Sequence, residues 1–322
     1  MPSYKPNREK NRTNADTMPS DISNPTVPMP GQGSKSSDIA DNIILDNKGG
    51  NGDEVPSNDG KDPQNGGDDD IDQPLPNADA YASCGSGGET GFQVKVPFDE
   101  GSYYVTTPEN YDPDKAYPVV FGLHGDEGSP SSVNSVWKDL SGKEFIMIAP
   151  QAIVTDQWRQ DYPSLPPRWY GSNSQLNSVY MDNMLASIKS KYNVDLDRVY
   201  IWGLSGGAAF ISGYAMKRTG TFAAIHFMMG GARSNATPVD DGADRGCSVA
   251  TRFAVSDSDF LYPGAIQLYN YLKSQGKDTE WAPTTCTKNG GHCWDVEAEE
   301  PAKNWMLSKI LCNERRPPGC AL

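Results

Sequence analysis

Three uninterrupted apolar runs constrain the fold most: Tyr117–His124 (YPVVFGLH), Glu144–Ala149 (EFIMIA) and Arg198–Trp202 (RVYIW). A strand that is apolar on both faces must be covered on both, which is the pattern of a parallel sheet lying between helices. Between the second and third runs, Ser178–Tyr192 carries Tyr180, Met184, Ile188 and Tyr192 on one helical stripe. Shorter strands are expected at Phe92–Pro97 and Tyr103–Thr107, and later ones at Ala223–Met229, Arg252–Val255 and Trp281–Thr285. Helices are expected over Ala208–Lys217, Ala265–Lys273 and Ala302–Leu311. Strand alternating with helix predicts the α/β class: a mainly parallel central sheet with helices on both faces, in one domain over 84–322.

Residues 1–83 read differently. They are rich in Asn, Asp, Pro, Ser and Gly, with GGNGDEVPSNDGKDPQNGGDDD at their centre and one short apolar patch, Ile43-Ile44-Leu45. Such a composition cannot bury enough apolar surface to offset the entropy of ordering, so the segment is expected to be a disordered acidic tail or linker. It holds 7 Lys/Arg and 15 Asp/Glu, so −8 of the chain's net charge of −14 originates there. That acidity argues against a nucleic-acid partner, whose phosphates it repels. No apolar run approaches the roughly 20 residues needed to cross a bilayer, so no membrane span is expected.

The sharpest local signal is RVYIWGLSGGAAF. Gly203-Leu204-Ser205-Gly206-Gly207 matches G-x-S-x-G, directly after an apolar strand and at the start of a helical stretch. Chemistry explains the pattern: a nucleophile at the tip of a strand-to-helix turn has strained backbone angles, and small neighbours let that turn close. A serine hydroxyl also needs a base, and the chain has only three histidines. In doubly wound hydrolases the chain order is nucleophile, acid, base. His124 precedes Ser205, and His226 sits inside the apolar strand AAIHFMM as a core residue. His292, after two glycines in NGGHCW, is the base by elimination. The acid that orients it is expected just beyond Val255 in RFAVSDSDFLYPG: Asp259, with Asp257 as the alternative. Donors for a developing oxyanion are expected at the backbone N–H of Gly206 and in the loop after the first buried strand, at Asp126 ahead of Gly125. His124 is then a turn-forming residue. Trp158, Trp169, Tyr170 and Trp294 are candidate substrate-binding rings, since flat rings stack on phenolic acids and sugar faces.

All six cysteines lie at or beyond Cys84. An even count in the folded part fits an oxidising compartment, with local clips expected at Cys286–Cys293 and Cys312–Cys320. Met1–Lys10 is polar and no apolar core follows it. The expectation is nonetheless a secreted protein whose signal was trimmed or lies upstream.

Taken in order, these pieces resemble α/β-hydrolase esterases of the feruloyl esterase and polyhydroxybutyrate depolymerase type, close to carbohydrate esterase family 1. The resemblance covers about residues 90–312 and is carried by PVVFGLHG, YNVDLDRVYIWGLSGGA, the D-x-x-Y-P run at Asp259–Pro263 and the GGH stretch containing His292. In that family a Trp-containing loop precedes the helix before the nucleophile strand, and Arg168-Trp169-Tyr170 occupies its place. The resemblance implies an α/β-hydrolase fold and carboxylic-ester hydrolysis without a metal or organic cofactor; a monomer is expected. It makes feruloyl or acetyl esters of plant cell-wall polysaccharide the first substrate expectation and a hydroxyalkanoate polyester the second. This chain departs from the family in reading VSDSD where a His-Gly-Thr run commonly precedes the acid, and in having Cys293 directly after His292. A serine peptidase of the same fold is a rival reading. A non-catalytic binding module fits less well, because the Ser, Asp and His candidates all occur in the required order.

Overall fold

A computed structural model of the chain describes residues 81–126, 128–136, 144–218, 220–232, 249–282, 284, 286–311 and 319–320. All belong to the unit Gly67–Leu322. The expected tail 1–83 therefore lies outside the described residues except at its end, where Tyr81–Ala82 forms a short strand, β1.

The sheet continues with β2 (Val94–Phe98), β3 (Gly101–Thr106), β4 (Tyr117–Leu123), β5 (Ile146–Pro150), β6 (Val194–Leu204), β7 (Ala224–Met228), β8 (Ala250–Ala254), β9 (Thr279–Trp281) and β10 (Gly319–Cys320). Its order is β2-β3-β5-β4-β6-β7-β8-β9, with β1 pairing β10 and the start of β6. Strands β5 through β9 along that path are parallel, and β2 and β3 are antiparallel additions at one edge. Every residue of β4, β5, β7 and β8 is buried, as the continuous apolar runs require.

The helices are α1 (Pro130–Val136), α2 (Asp156–Asp161), α3 (Ser174–Lys191), α4 (Gly206–Tyr214), α5 (Tyr262–Ser274) and α6 (Glu299–Leu307). They cover both faces. Val119, Phe121 and Leu123 of β4 and Ile201 of β6 share one core with Met184 and Ile188 of α3, Ile211 of α4 and Leu268 of α5. Val120, Tyr200 and Trp202 point the other way and pack with Val133 of α1 and with Met306 and Leu307 of α6. Each such fully buried side chain contributes about 1.5–3 kcal/mol. What matters for the site is register. Leu123 pairs with Gly203, Gly203 with Phe227, Leu204 with Met228 and Met228 with Ala254, so the carboxyl ends of β4, β6, β7 and β8 open along one edge.

Several expected boundaries shift, two of them for a readable reason. The last parallel strand is Thr279–Trp281, not Trp281–Thr285, because Thr279, Glu280 and Trp281 are the residues that pair with Thr251, Arg252 and Phe253 of β8. Pro283, with no N–H, is a poor residue to carry that ladder further. Helix α6 spans Glu299–Leu307 rather than Ala302–Leu311. Proline is tolerated in a first turn and acidic residues favour a helix start, so Glu299, Glu300 and Pro301 belong inside it. Past its end, Lys309 accepts a hydrogen bond at its carbonyl from the Tyr200 hydroxyl (2.8 Å), and the Leu311 N–H donates to Asp197 (2.7 Å). No helix among the described residues is long and apolar enough to cross a membrane.

His226 lies in β7 between Trp202 and Arg252 of the adjoining strands and is wholly buried. Its Nδ1–H donates to the Arg252 carbonyl (3.2 Å). Burial, joined by the positive charge of Arg252, pushes its pKa down to about 3. The unfolded residue titrates near 6.5. Between those values the unfolded chain takes up a proton that the folded chain does not. The stability this residue supports is therefore complete above about pH 6.5 and falls as the pH drops toward 3. Urea unfolding should show a loss of about 2 kcal/mol from this source between pH 7 and pH 5. His226→Gln should remove that portion, and an unaltered pH dependence in the variant would contradict the assignment.

Candidate active site

Strand β6 ends at Leu204, and Ser205 follows with φ 52° and ψ −112°, outside the helical and extended regions. A non-glycine residue with such backbone angles costs about 1–3 kcal/mol unless its surroundings hold it there. They do. The Ser205 N–H donates to the Met228 carbonyl of β7 (2.9 Å), and the Ser205 carbonyl accepts from Ala209 in α4 (2.9 Å). The turn closes only around small residues. A Cβ on Gly207 would come within 2.6 Å of the Leu123 carbonyl oxygen, and one on Gly203 within 2.7 Å of the Gly207 carbonyl oxygen. Sequence pattern and steric need coincide at both positions.

The loop after β8 carries Asp259, whose side chain is fully buried. One carboxylate oxygen accepts from the Leu261 N–H (2.8 Å) and the other from His292 Nδ1 (2.9 Å). On its far side the imidazole Nε2 meets the Ser205 hydroxyl at 2.9 Å. Three side chains separated by as many as 87 positions thus form one hydrogen-bonded line. Asp257, the alternative acid, is exposed, and its carboxylate accepts from the neighbouring Ser258 hydroxyl (3.1 Å). His292 reaches Asp259 because Gly291 has φ 84° and no side chain; a Cβ there would fall 2.6 Å from Ser256 Oγ and 2.9 Å from the Asp259 nitrogen. The Cys286–Cys293 disulfide closes the same loop, as its close spacing suggested. Cys84 is also disulfide-bonded. Cys312 lies outside the described residues, and with it the expected Cys312–Cys320 clip.

Beside Ser205 stands the loop after β4. His124 is buried, donates from Nδ1 to the Gly125 carbonyl (2.8 Å), and accepts at Nε2 from the Ala152 N–H (3.2 Å). Burial lowers its pKa, which keeps it neutral in that bridging role. Gly125 then backs onto Ser205, and Asp126 lies against Gly206 so closely that a Cβ on Gly206 would overlap its carboxylate. Gly125 and Asp126, in the loop after β4, therefore lie beside Ser205 and Gly206 at the start of α4. The Asp126 carboxylate accepts from the Tyr170 hydroxyl (2.6 Å) and faces Arg168 Nε at 3.3 Å. Burial and that carboxylate raise the Tyr170 pKa to about 12, so its hydroxyl stays protonated and donates.

The candidate aromatic residues scatter. Tyr170 alone among them lines the space next to Gly206. Trp169 is fully buried between His124 and Phe210, with its indole N–H on the His124 carbonyl (3.0 Å); it supports the loop from below and presents no face to a ligand. Trp294 packs edge-on against Trp202 in the second core and donates to Glu299 (2.5 Å), again a packing role. Trp158 meets Tyr162 at an interplanar angle of 43° and lies under the Arg168 guanidinium. One ring that sequence reasoning passed over does reach the site. Phe260, 68% exposed, sits 4.5 Å from the His292 ring, and its only sequence signal is its place directly after the acid. Among the described residues no group of three or more His, Cys, Asp or Glu side chains is placed to hold a metal ion.

No family model matches the sequence. Probable feruloyl esterase C of Aspergillus terreus (strain NIH 2624 / FGSC A1156) is 23% identical over 183 residues, 54% of this chain and 62% of that protein. The alignment thus spans less than two thirds of that relative. A solved ferulic acid esterase superposes with a TM-score of 0.50 at 20% identity, covering 67% of this chain and 98% of the other. A CE1 ferulic acid esterase from Anaeromyces mucronatus, in complex with ferulic acid, gives 0.47 at 14% identity over 65% and 85%. The strand order, the sharp turn after the central strand and the first of these superpositions identify the architecture as the α/β-hydrolase fold.

The glycine before the imidazole makes the line of hydrogen bonds testable. Gly291→Ala should cost about 1–3 kcal/mol in stability and part His292 from Asp259. The downfield Nδ1 proton resonance of His292 should then be lost, whereas its survival would show that the loop absorbs the methyl group.

Proposed function

We propose that this protein is a serine carboxylic-ester hydrolase, with Ser205 as nucleophile, His292 as base and Asp259 as the orienting acid. The single observation that carries the reading is the unbroken line from Ser205 Oγ to His292 Nε2 and from His292 Nδ1 to Asp259, with both contacts at 2.9 Å. A neutral imidazole that donates at Nδ1 must accept at Nε2, which is the tautomer able to take the serine proton. The alkoxide then attacks the ester carbonyl, and the Gly206 and Asp126 N–H groups receive the negative oxygen. Collapse of the tetrahedral species expels the alcohol, protonated by His292, and leaves an acyl-serine. Water activated by the same imidazole releases the acid and restores the hydroxyl. Asp259 stays ionised throughout and stabilises the imidazolium.

Feruloyl or acetyl esters of plant cell-wall polysaccharide are the substrates we favour, from the likeness to feruloyl esterases in sequence and fold. The disulfides favour an oxidising, extracellular setting, and the composition of residues 1–80 suits a solvated linker. Ser205→Ala and His292→Ala should each lower kcat on p-nitrophenyl acetate and methyl ferulate by about 10⁴-fold or more while the far-UV circular dichroism stays unchanged. Asp259→Asn should lose a similar factor, since it presents the wrong tautomer of the base. Undiminished turnover by Ser205→Ala would remove the mechanism. Acetylated xylan and short hydroxybutyrate oligomers, assayed beside methyl ferulate, separate the polysaccharide reading from a polyester one.

A further inference from the structure

We propose that Phe260 forms a subsite for a sugar ring on the alcohol side of the scissile ester; the inference rests on the esterase reading above. Geometry assigns the side. His292 must deliver its proton to the departing oxygen, so the alcohol portion leaves across the imidazole, opposite the oxyanion donors of Gly206 and Asp126. Phe260 is the ring standing there, 4.5 Å from the imidazole centroid and inclined to it by 45°. With 68% of its surface in water, the phenyl group gains little from folding where it stands.

Its backbone, in contrast, is held firmly. The Asp259 carboxylate accepts from the next residue, Leu261, and the Asp259 carbonyl accepts from Tyr262 (2.9 Å). The ring therefore stands on a preorganised turn, and a ligand meeting it orders no loop. The base loop packs onto the same turn through Gly291, which is buried against Ser256 and Asp259 and leaves the ring uncovered. The exposed groups of the same turn are the Asp257 carboxylate and the Ser258 hydroxyl, which are hydrogen-bonding groups without a cation. A flat apolar face edged by such groups suits the C–H face of a neutral sugar and its hydroxyls. It repels an anionic alcohol and exceeds what a methyl group can cover.

Kinetics on two ferulate esters that differ only in their alcohol test this. One is methyl ferulate and the other a feruloylated arabinose–xylose oligosaccharide, each assayed with the full chain and with Phe260→Ala. The ratio of kcat/KM, oligosaccharide ester over methyl ester, should fall by about fivefold to tenfold in Phe260→Ala and recover in Phe260→Trp. The unesterified oligosaccharide should inhibit methyl ferulate hydrolysis competitively, with its inhibition constant raised by a similar factor in the alanine variant. An equal fall on both esters with unchanged inhibition would make Phe260 a support for the imidazole and overturn the subsite. If the unaltered protein hydrolyses p-nitrophenyl acetate but neither ferulate ester, the esterase reading stands and the subsite is overturned; if it hydrolyses none of the three, the esterase reading fails first and the subsite falls with it.

Discussion

The close approach of β4 to the turn after β6 is the constraint on which the rest depends. Glycine at 203 and 207 lets the start of α4 press against the Leu123 and His124 carbonyls, and the strained Ser205 is held between them. A methyl group at 207 would push α4 off the end of β4, and one at 203 would push it off the end of β6. The loop carrying Gly125 and Asp126 would then leave the serine, and the parallel register that aligns β4 and β6 with β7 and β8 would no longer deliver four loop ends to one place. Backbone strain of a few kcal/mol at one residue is tolerated because a sheet buried on both faces surrounds it.

The three histidines show how environment divides one chemistry into three tasks. His226, wholly buried beside an arginine, cannot accept a proton at ordinary pH and serves only as core. His124, also buried, uses both ring nitrogens on backbone groups and braces the loop beside Ser205. Only His292 is partly open to solvent and has a hydroxyl on one nitrogen and a carboxylate on the other. Burying the Asp259 charge is costly in isolation. Here the Leu261 N–H and the imidazole offset that cost, and the same pair of contacts sets the direction of the ring.

Two aromatic residues bound the space around Ser205 in different ways. Tyr170 is tied down through Asp126 and shapes the side near Gly206. Phe260 is untied, exposed and next to the imidazole. On the proposed mechanism the first side receives the acyl group and the second the alcohol, so chemistry and side-chain placement point to the same division of the site.

From sequence alone came the fold class, the turn around Ser205 and the selection of His292. Those rest on local rules: continuous apolar strands, a glycine-flanked serine, and chain order among few histidines. Choosing Asp259 over Asp257 needed coordinates, because two residues apart on one turn point in opposite directions and only the turn's hydrogen bonds say which faces inward. Full burial of Trp169, the partial burial of Trp294 against Trp202, and exposure of Phe260 were likewise invisible: a tryptophan in a loop reads the same whether another loop covers it or not. Even the position of β9 was decided by its pairing with β8 rather than by its own apolar content. Local sequence determines what each segment can become, while the packing of distant segments determines which side chains meet, since that free energy belongs to contacts and not to neighbours along the chain.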